Sequence, residues 1–376
     1  MTGSRTVLAI ALLAVILRAG VAWFQADGVL RFPAHDPDHY GRLAATLAST
    51  GSFALETPEG LQPTAHRPPG YPILLAGGIR AGLSVSTAAL TVNLVASGFI
   101  VLLTAALAHR LLATAPGWIP ALAAFLVAVD PLLVHQAGQL MTETTFTAFL
   151  LAALLCWTHV IGPNPRMYHV FGAALVLAAG ALVRPTMIPI ALLLAFVRPS
   201  SWKSALAALL LAALFVSPWV VRNHSRYYRI YFTTHGGYTL WLAHNPSHFR
   251  VEVEEGRTWE GKEFDDWSKA NAEAVRGYSE LERDDAFGRM ASEWLREDPA
   301  RAARSMLHRV KSLWTPFPRT GPATLRLPAA CFAIALFAAA VVGWIRLGPV
   351  SFAGLLLAAP IVATTLLHAV YWSNIR

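Results

Sequence analysis

Charged residues are scarce in this chain of 376 residues. They make up 14% of it, against about 25% in an ordinary soluble domain, and the mean hydropathy is +0.47. This balance excludes a disordered chain, a coiled coil and a simple cytosolic enzyme, and it favours an integral membrane protein. Cysteine is nearly absent: Cys156 and Cys331 both lie in apolar runs, which is typical of small core residues and not of a disulfide framework or metal cluster.

Carboxylates are missing from most of the apolar sequence. Fifteen of the 22 acids lie between Glu252 and Asp298, and none lies before Asp27 or after Asp298. Asp130 and Glu143 stand alone between membrane stretches, where an isolated acid is costly and tends to be functional. The net charge is +8, but the basic residues form no tract, so no nucleic-acid partner is predicted.

Nine apolar stretches are candidate transmembrane helices, since about 20 apolar residues cross a bilayer core of about 30 Å. They are residues 6–25, 88–108, 118–134, 144–161, 170–183, 187–197, 205–221, 325–344 and 350–370. The expected fold is therefore an all-α polytopic membrane protein with three parts. These parts are a transmembrane module over 1–221, an exoplasmic insert over 222–324 and a transmembrane hairpin over 325–376.

The basic residues of the short loops predict the orientation. If the N-terminus is cytoplasmic, the same side receives Arg110, Arg166, Arg198 with Lys203, and Arg346. The outside then receives loop 26–86, the turn 130–143, the Arg184-Pro185 break and the insert. Every acid next to the membrane therefore lies on one face.

The first outer loop has the pattern of two helices on the membrane surface. Pro37 and Asp38 precede a stripe of apolar residues at helical spacing that ends at Gly51, so Asp38 is a plausible helix cap. A second apolar stretch covers 73–83. A lipid-borne substrate would meet carboxylates beside these helices.

Transfer of a sugar from a lipid phosphate suits such a surface. A carboxylate takes the proton of the acceptor hydroxyl as it attacks, and cations hold the departing phosphate. Asp36 or Asp38 can act as the base. The candidate cations are Arg67, Arg184 and Arg222.

Six short motifs occur in a familiar order. They are Asp36-x-x-x-Tyr40, Arg67-Pro-Pro-Gly-Tyr71-Pro, Asp130-Pro131 through Glu143, Arg184-Pro185, Pro218-Trp-Val-Val-Arg222-Asn, and Gly236–Trp241 with His244-Asn245-Pro246. The set resembles the GT-C membrane glycosyltransferases, and within them glycosyltransferase family 39, which holds protein O-mannosyltransferases and lipid A aminoarabinose transferases. The family's further C-terminal segment is not matched, so we expect a C-terminally truncated chain.

The resemblance implies a polyprenyl-phosphate-sugar donor, an unidentified exoplasmic acceptor, inversion at the anomeric carbon and a bacterial inner-membrane location with a periplasmic site. It assigns Asp36 to the catalytic aspartate, Glu143 to a second-loop acid and Arg67 to a cation facing the donor phosphate. Asp38 is a further catalytic candidate. The candidate substrate-binding residues are Arg67 and six others: Tyr40, His66, Tyr71, Arg184, Arg222 and Asn245. Tyr40 and Tyr71 would pack or stack on sugar.

Each candidate also has a plainer interpretation. Asp36 before Pro37 suits a turn, Asp38 a cap, and Glu143 the first turn of a helix capped by Thr142. Arg18, inside the first span, would snorkel to the outer interface or contact the lipid phosphate. The exoplasmic insert is either a lid or acceptor dock, or a small packed helical cap.

The metal content is left open. His35 and His39 flank Asp36, but their spacing argues against zinc. Mg²⁺ or Mn²⁺ could be held by Asp36, Glu143 and the donor phosphate. The alternative functions are a transporter of lipid-linked or small solutes, which should carry ionisable residues near mid-membrane in repeated helices, and an inactive scaffold fragment of the same fold.

Overall fold

The computed structural model describes residues 2–25, 36, 38–58, 60–317 and 323–371. The helices of this part are α1 (Thr2–Gln25), α2 (Tyr40–Thr50), α3 (Gly70–Arg80), α4 (Val85–Leu111), α5 (Ile119–Val129), α6 (Pro131–Ala137), α7 (Glu143–Val160), α8 (Met167–Val183), α9 (Met187–Leu194), α10 (Trp202–Tyr227), α11 (Gly236–Ala243), α12 (Pro246–His248), α13 (Lys262–Ala274), α14 (Glu280–Glu297), α15 (Pro299–Leu313), α16 (Ala323–Leu347) and α17 (Phe352–Val370). A 3₁₀ turn (Pro199–Ser201) precedes α10, and a π-helical turn (Phe249–Glu254) follows α12.

The predicted all-α membrane fold is confirmed, with one small addition. Strand β1 (Ala54–Thr57) pairs antiparallel with β2 (Gly60–Pro63) between α2 and α3. Gly60 begins the second strand at φ 107°, a conformation that glycine adopts without strain. The two helices predicted for loop 26–86 are present as α2 and α3, and the second begins at Gly70 instead of residue 73. His35 and most of residues 26–37 lie outside the described part of the chain.

The count of nine spans is not confirmed. Six described helices are long and apolar enough to cross a membrane: α1, α4, α7, α10, α16 and α17. A seventh span results if α5 and α6, which meet at 56° across Asp130, are counted as one. The remaining two predicted spans are α8, which is apolar but has 17 residues, and α9, whose eight residues rise only about 12 Å.

Contacts divide the chain into two units. The first comprises Met1–Arg222 and Trp344–Ala359, and the second comprises Asn223–Gly343 and Pro360–Arg376.

Small residues let the helices of the first unit approach closely. α4 packs against α1, α5 and α7, and α7 packs against α8. One buried cluster of this bundle is rich in alanine (Ala11, Ala14, Ala105, Ala124 and Ala128). In a bilayer such close packing replaces the hydrophobic effect as the main attraction between helices.

Arg18 does not snorkel, contrary to the prediction. Its side chain is 1% exposed and donates to the carbonyls of Ala14, Val127 and Ala128, the last at 2.8 Å. The last carbonyls of α5 have no helical partner because the helix stops at Asp130, so a buried guanidinium satisfies them. Asp130 ends α5 and also caps α6 through the amides of Leu132 and Leu133.

The insert that the sequence predicts to be exoplasmic is, in the second unit, a packed helical module with an aromatic core. Trp241, Phe249, Trp259, Trp267, Phe287 and Trp294 are all buried within it. Helix α11 crosses α14 with almost no space between the backbones, and Asp284 on α14 accepts the amide of Tyr238 at 3.0 Å. The core therefore depends on a small residue where these helices meet.

Gly237 is that residue, and its replacement has a matched control. A Cβ at Gly237 would lie 1.9 Å from the carbonyl oxygen of Asp284, whereas a Cβ at Gly236 would meet nothing within 4 Å. We expect Gly237→Ala to lower the free energy of unfolding by about 3 kcal/mol or more, because backbone must move. Gly236→Ala should change it by less than about 0.5 kcal/mol. Thermal unfolding followed by tryptophan fluorescence measures both, and equal effects would contradict this packing.

The second unit also buries a cation that has no carboxylate partner among the described residues. Arg309 is 3% exposed and donates to the carbonyls of Ala243 and Ala369 at 2.6 and 2.7 Å. It also faces the ring of His244, whose Nε2 lies 2.8 Å from the carbonyl oxygen of Val370. Burial lowers the pKa of Arg309 to about 10. Any further positive charge here would repel it.

This arrangement predicts that the second unit loses stability in mild acid. Burial and then Arg309 lower the pKa values of His244 and His248 to about 3, so both rings stay neutral in the folded state. At pH values below the ordinary histidine pKa of about 6.5, these two histidines bind protons in the unfolded chain but not in the folded chain. We expect each of the two histidines to lower the free energy of unfolding by up to about 2 kcal/mol as the pH falls from 6.5 to 5. Thermal unfolding at pH 7.5, 6 and 5 measures this. The control is His109→Gln, which replaces an exposed histidine. Stability that does not fall over this range would contradict it.

Candidate functional site

Asp36 is held just before α2 by the backbone of that helix. Its Oδ2 accepts the amide of Arg42 at 3.0 Å, while its Oδ1 is buried with no hydrogen-bond partner in the described part of the chain. Gly41 leaves room for the carboxylate, since a Cβ there would lie 3.1 Å from Oδ2. One carboxylate oxygen is thus positioned and the other is unused.

Asp38 does not cap α2. The residue before the helix is His39, in a left-handed conformation with φ 62°, and its side chain makes no capping bond. The carboxylate of Asp38 instead pairs with Arg67 at 2.5 Å, and Arg67 also lies over the ring of Tyr40. The cap prediction is wrong because an arginine 29 residues away provides a charged partner, and the helix starts two residues later.

Glu143 and Arg184 form a second pair. Their side chains approach to 3.2 Å, and Arg184 also lies over the ring of Phe146. Glu143 Oε2 is buried and has no hydrogen-bond partner among the described residues. Thr142 precedes α7 as predicted, but its side chain makes no capping bond. Arg184 ends α8 in an extended conformation ahead of Pro185, which sets it beside the start of α7.

Two tyrosines lie between the charged pairs. The rings of Tyr40 and Tyr71 meet edge to face at 5.4 Å, and both are buried. Burial raises the pKa of both hydroxyls, and the charges of Asp36 and Glu143 act on Tyr71 in the same direction. The hydroxyl of Tyr71 has no hydrogen-bond partner among the described residues. Both phenols therefore stay protonated and can donate.

These residues form one group, which we call the carboxylate–tyrosine cluster. It comprises Asp36, Asp38, Tyr40, Arg67, Tyr71, Glu143 and Arg184. The group joins four separate segments, the approach to α2, the start of α3, the start of α7 and the end of α8.

Arg222 contacts residues outside the carboxylate–tyrosine cluster. Its two Nη atoms donate to the carbonyls of Thr64 at 2.8 Å and Phe53 at 2.9 Å, at the base of the β-hairpin. The guanidinium also lies 5.1 Å from the ring centre of Trp219. It holds the hairpin that leads into His66 and Arg67. The backbone amide of His66 donates to Thr64 Oγ1, and the residue is half-buried.

Asn245 belongs to the second unit and is fully buried. Its amide donates to the carbonyls of Trp241 and Leu242 and accepts from the backbone of His248 at 2.8 Å. It joins α11 to α12 as a helix cap. Its position in the motif therefore has a local structural reason.

Asn93 is a buried polar residue that the sequence patterns did not single out. It is fully buried in α4 and donates to the carbonyls of Ala137 and Gln139, the second at 2.8 Å, while Thr145 donates to it. Asn93 thus fixes the turn between α6 and α7, which leads into Glu143. The available signal was a single asparagine inside an apolar span, because a buried amide there must find partners.

The second unit carries an open groove of about 670 Å³. Its lining includes Tyr231, Asp285, Arg289, Glu293 and Tyr371, and none of the predicted site residues. Asp285 is paired with Arg229 at 2.9 Å, so part of this lining is already neutralised.

Three or more potential metal ligands do not converge anywhere in the described part of the chain. His39 contacts the guanidinium of Arg42, and burial together with Arg42 lowers the pKa of its ring. His35 lies outside the described residues, so the interpretation against zinc stays a prediction.

Solved structures provide the comparison. The chain is similar to the archaeal oligosaccharyltransferase AglB from Archaeoglobus fulgidus, solved with an inhibitory peptide and a dolichol-phosphate, at 16% identity and a TM-score of 0.56. This match covers 98% of the chain and 49% of AglB, so the chain spans about half the length of that relative.

ArnT from Cupriavidus metallidurans is also similar. The apo structure matches at 14% identity and a TM-score of 0.47, covering 99% of this chain and 78% of ArnT. The structure bound to undecaprenyl phosphate matches at 13% and 0.49, covering 96% and 76%. No protein-family model and no curated protein sequence matches the chain. The likeness to AglB shows that this polytopic membrane protein shares the fold of that oligosaccharyltransferase.

Proposed function

We propose that this protein transfers a sugar from a polyprenyl-phosphate donor to a hydroxyl of an exoplasmic acceptor, with inversion at the anomeric carbon. The observation that carries the proposal is Asp36, whose carboxylate has one positioned oxygen and one buried oxygen that is unused within the described part of the chain. AglB, which shares the fold, holds a dolichol-phosphate in its structure, and this supports a lipid phosphate as the donor's carrier.

Asp36 acts as the general base. Its Oδ1 takes the proton of the acceptor hydroxyl while that oxygen forms a bond to the anomeric carbon. The bond from the anomeric carbon to the phosphate oxygen breaks, and the lipid phosphate leaves with the electron pair. A single displacement of this kind inverts the anomeric centre.

Arg67 and Arg184 stabilise the departing phosphate. Each pairs with one carboxylate, and each keeps part of its side chain exposed, 16% and 31% respectively. A guanidinium can bind a phosphate through two parallel hydrogen bonds, which strengthen as negative charge develops. Arg222 is a weaker candidate because both of its Nη atoms already serve backbone carbonyls.

The remaining residues of the cluster orient the donor. The protonated hydroxyls of Tyr40 and Tyr71 donate to the sugar or the phosphate, and Asp38 and Glu143 hold the two arginines. If Mg²⁺ or Mn²⁺ takes part, Asp36 and Glu143 supply its protein oxygens, and the ion neutralises phosphate charge. We place the protein in a bacterial inner membrane with this cluster facing the periplasm, in line with the basic residues of its short loops.

The test is transfer by purified protein in nanodiscs. A panel of labelled polyprenyl-phosphate sugars is incubated with the protein and a membrane extract as the acceptor source, with empty nanodiscs as the control. We expect label to leave one donor and appear, inverted, on an acceptor. Donor binding without transfer from any member, with acceptor in excess, would favour the inactive scaffold. No donor binding at all would favour the transporter.

A further inference from the structure

The helix pair that carries Glu143 and Arg184 has a second polar cluster at its other end. α7 and α8 run antiparallel, so His159 near the end of α7 meets His169 near the start of α8, with ring centres 4.9 Å apart. His159 lies 16 residues after Glu143, which is about 24 Å along a helix. That distance is close to the thickness of a bilayer core. The two clusters therefore face opposite leaflets.

Four cationic or titratable side chains form this basic cluster, which consists of Arg110, His159, Arg166 and His169. Arg110 ends α4 and Arg166 precedes α8, and both charges act on the ring of His169. Arg166 also donates to the hydroxyl of Tyr168 at 3.0 Å. The cluster thus combines three helix ends of the first unit.

No acid between residues 60 and 251 is available to neutralise the basic cluster. This part of the chain contains two acids, Asp130 and Glu143. Glu143 pairs with Arg184 at the other end of α7, and Asp130 caps α6. The earlier acids all belong to the first outer loop, on the side of the carboxylate–tyrosine cluster. Several positive charges without a counter-charge attract an anion from outside the protein.

Hydrogen-bond donors of the basic cluster remain unused. His169 Nδ1 accepts the amide of Arg166, so the proton of the neutral ring lies on Nε2 as a donor. His159 Nδ1 donates to the carbonyl oxygen of Leu155 at 3.1 Å, so its Nε2 becomes a second donor when the ring is protonated beside an anion. The side chain of Arg110 forms no hydrogen bond or ion pair among the described residues. A phosphate oxygen would satisfy such donors.

The surface beside the basic cluster suits an acyl chain. Phe171, one turn further into α8 than Tyr168, is 50% exposed and meets Phe215 of α10 edge to face at 5.3 Å. Met167 and Tyr168 are also exposed. Aromatic and apolar side chains next to positive charges at a helix end are typical of a membrane interface.

We propose that the basic cluster binds the phosphate headgroup of an anionic phospholipid in the leaflet opposite the carboxylate–tyrosine cluster. This lipid is separate from any sugar donor. It fixes the ends of α4, α7 and α8. The opposite ends of α7 and α8 carry Glu143 and Arg184.

Native mass spectrometry of the full chain in detergent, with added phosphatidylglycerol or phosphatidylcholine, tests this. We expect wild type to retain phosphatidylglycerol in preference. Arg110→Gln and Arg166→Gln should each reduce this preference about five-fold, as expected for one basic residue at an anionic surface. Lys203→Gln removes the same charge from the start of α10, where the ammonium lies over Trp202, and should leave the preference unchanged.

Three results would overturn the proposal. Equal retention of both lipids by wild type would show that charge is not recognised. An equal loss with Lys203→Gln would indicate general attraction of acidic lipid. Displacement of the lipid by soluble glycerol phosphate would identify a free phosphate as the occupant. Thermal unfolding of each variant verifies that it is folded, and all three changed side chains are exposed.

Discussion

Asp36→Asn should lower kcat for sugar transfer by about 10³-fold and leave donor binding nearly unchanged. General-base catalysis contributes about 10²–10⁴-fold, and an amide of the same shape cannot take the acceptor proton at neutral pH. The amide oxygen of asparagine can still accept from the backbone of Arg42, so the approach to α2 should keep its structure. Transfer and donor binding are measured separately in nanodiscs, so that a loss of kcat is not confused with a loss of binding.

Glu56→Gln is the matched control for this substitution. Glu56 belongs to the same outer loop, lies exposed on β1 and makes no ion pair within the described part of the chain. We expect it to keep wild-type activity. Asp36→Glu should recover part of the rate only if the carboxylate itself is needed. If Asp36→Asn kept more than about a tenth of wild-type activity, Asp36 would be a turn residue and the base would have to be Asp38 or Glu143.

Gly70→Ala should damage both stability and activity. A Cβ at Gly70 would lie 2.7 Å from the carbonyl carbon and oxygen of Leu182 and 2.9 Å from the amide nitrogen of Val183. Both contacts are backbone, so α3 and α8 must separate. We expect a loss of about 3 kcal/mol in the free energy of unfolding. Because Tyr71 and Arg184 directly follow these contacts in their own segments, kcat/KM should fall by about 10²-fold as the cluster is displaced.

Gly77→Ala is the control in the same helix. A Cβ there would meet nothing within 4 Å, and alanine favours helix over glycine by about 1 kcal/mol. Stability should stay equal or rise, and transfer should be unaffected. Thermal unfolding and the nanodisc assay compare the two variants. If both alanines behaved alike, the tight crossing of α3 and α8 would not be what positions the cluster.

Local sequence patterns predicted the surface helices well. The apolar stripe from Tyr40 to Gly51 predicted α2, and the apolar stretch over 73–83 predicted α3 three residues later than it begins, because both signals depend on neighbouring residues alone. Interactions between distant segments could not be predicted in this way. Asp38 pairs with Arg67, the carbonyls released at the end of α5 take Arg18, and four-residue strands carry too little pattern to be recognised.

The span count failed for a related reason. Apolar composition continues on both sides of Arg184, so it indicates burial but not where a helix becomes too short to cross. For the candidate site, the sequence placed the acids and Arg184 on one face of the membrane. Which arginine would lie beside which acid depends on how α3, α7 and α8 pack, and no local pattern contains that information.

The hydrogen bonds from Arg222 to the base of the hairpin have a consequence for the order of assembly during synthesis. The carbonyl of Thr64 and the guanidinium that binds it are separated by 158 residues. At about 5–20 residues per second, the ribosome needs roughly 8–30 s to add them. Throughout that interval the hairpin has emerged without the residue that secures its base. The first outer loop can therefore be completed only after α10 has been synthesised, which makes it a late-maturing part of the chain despite its early position.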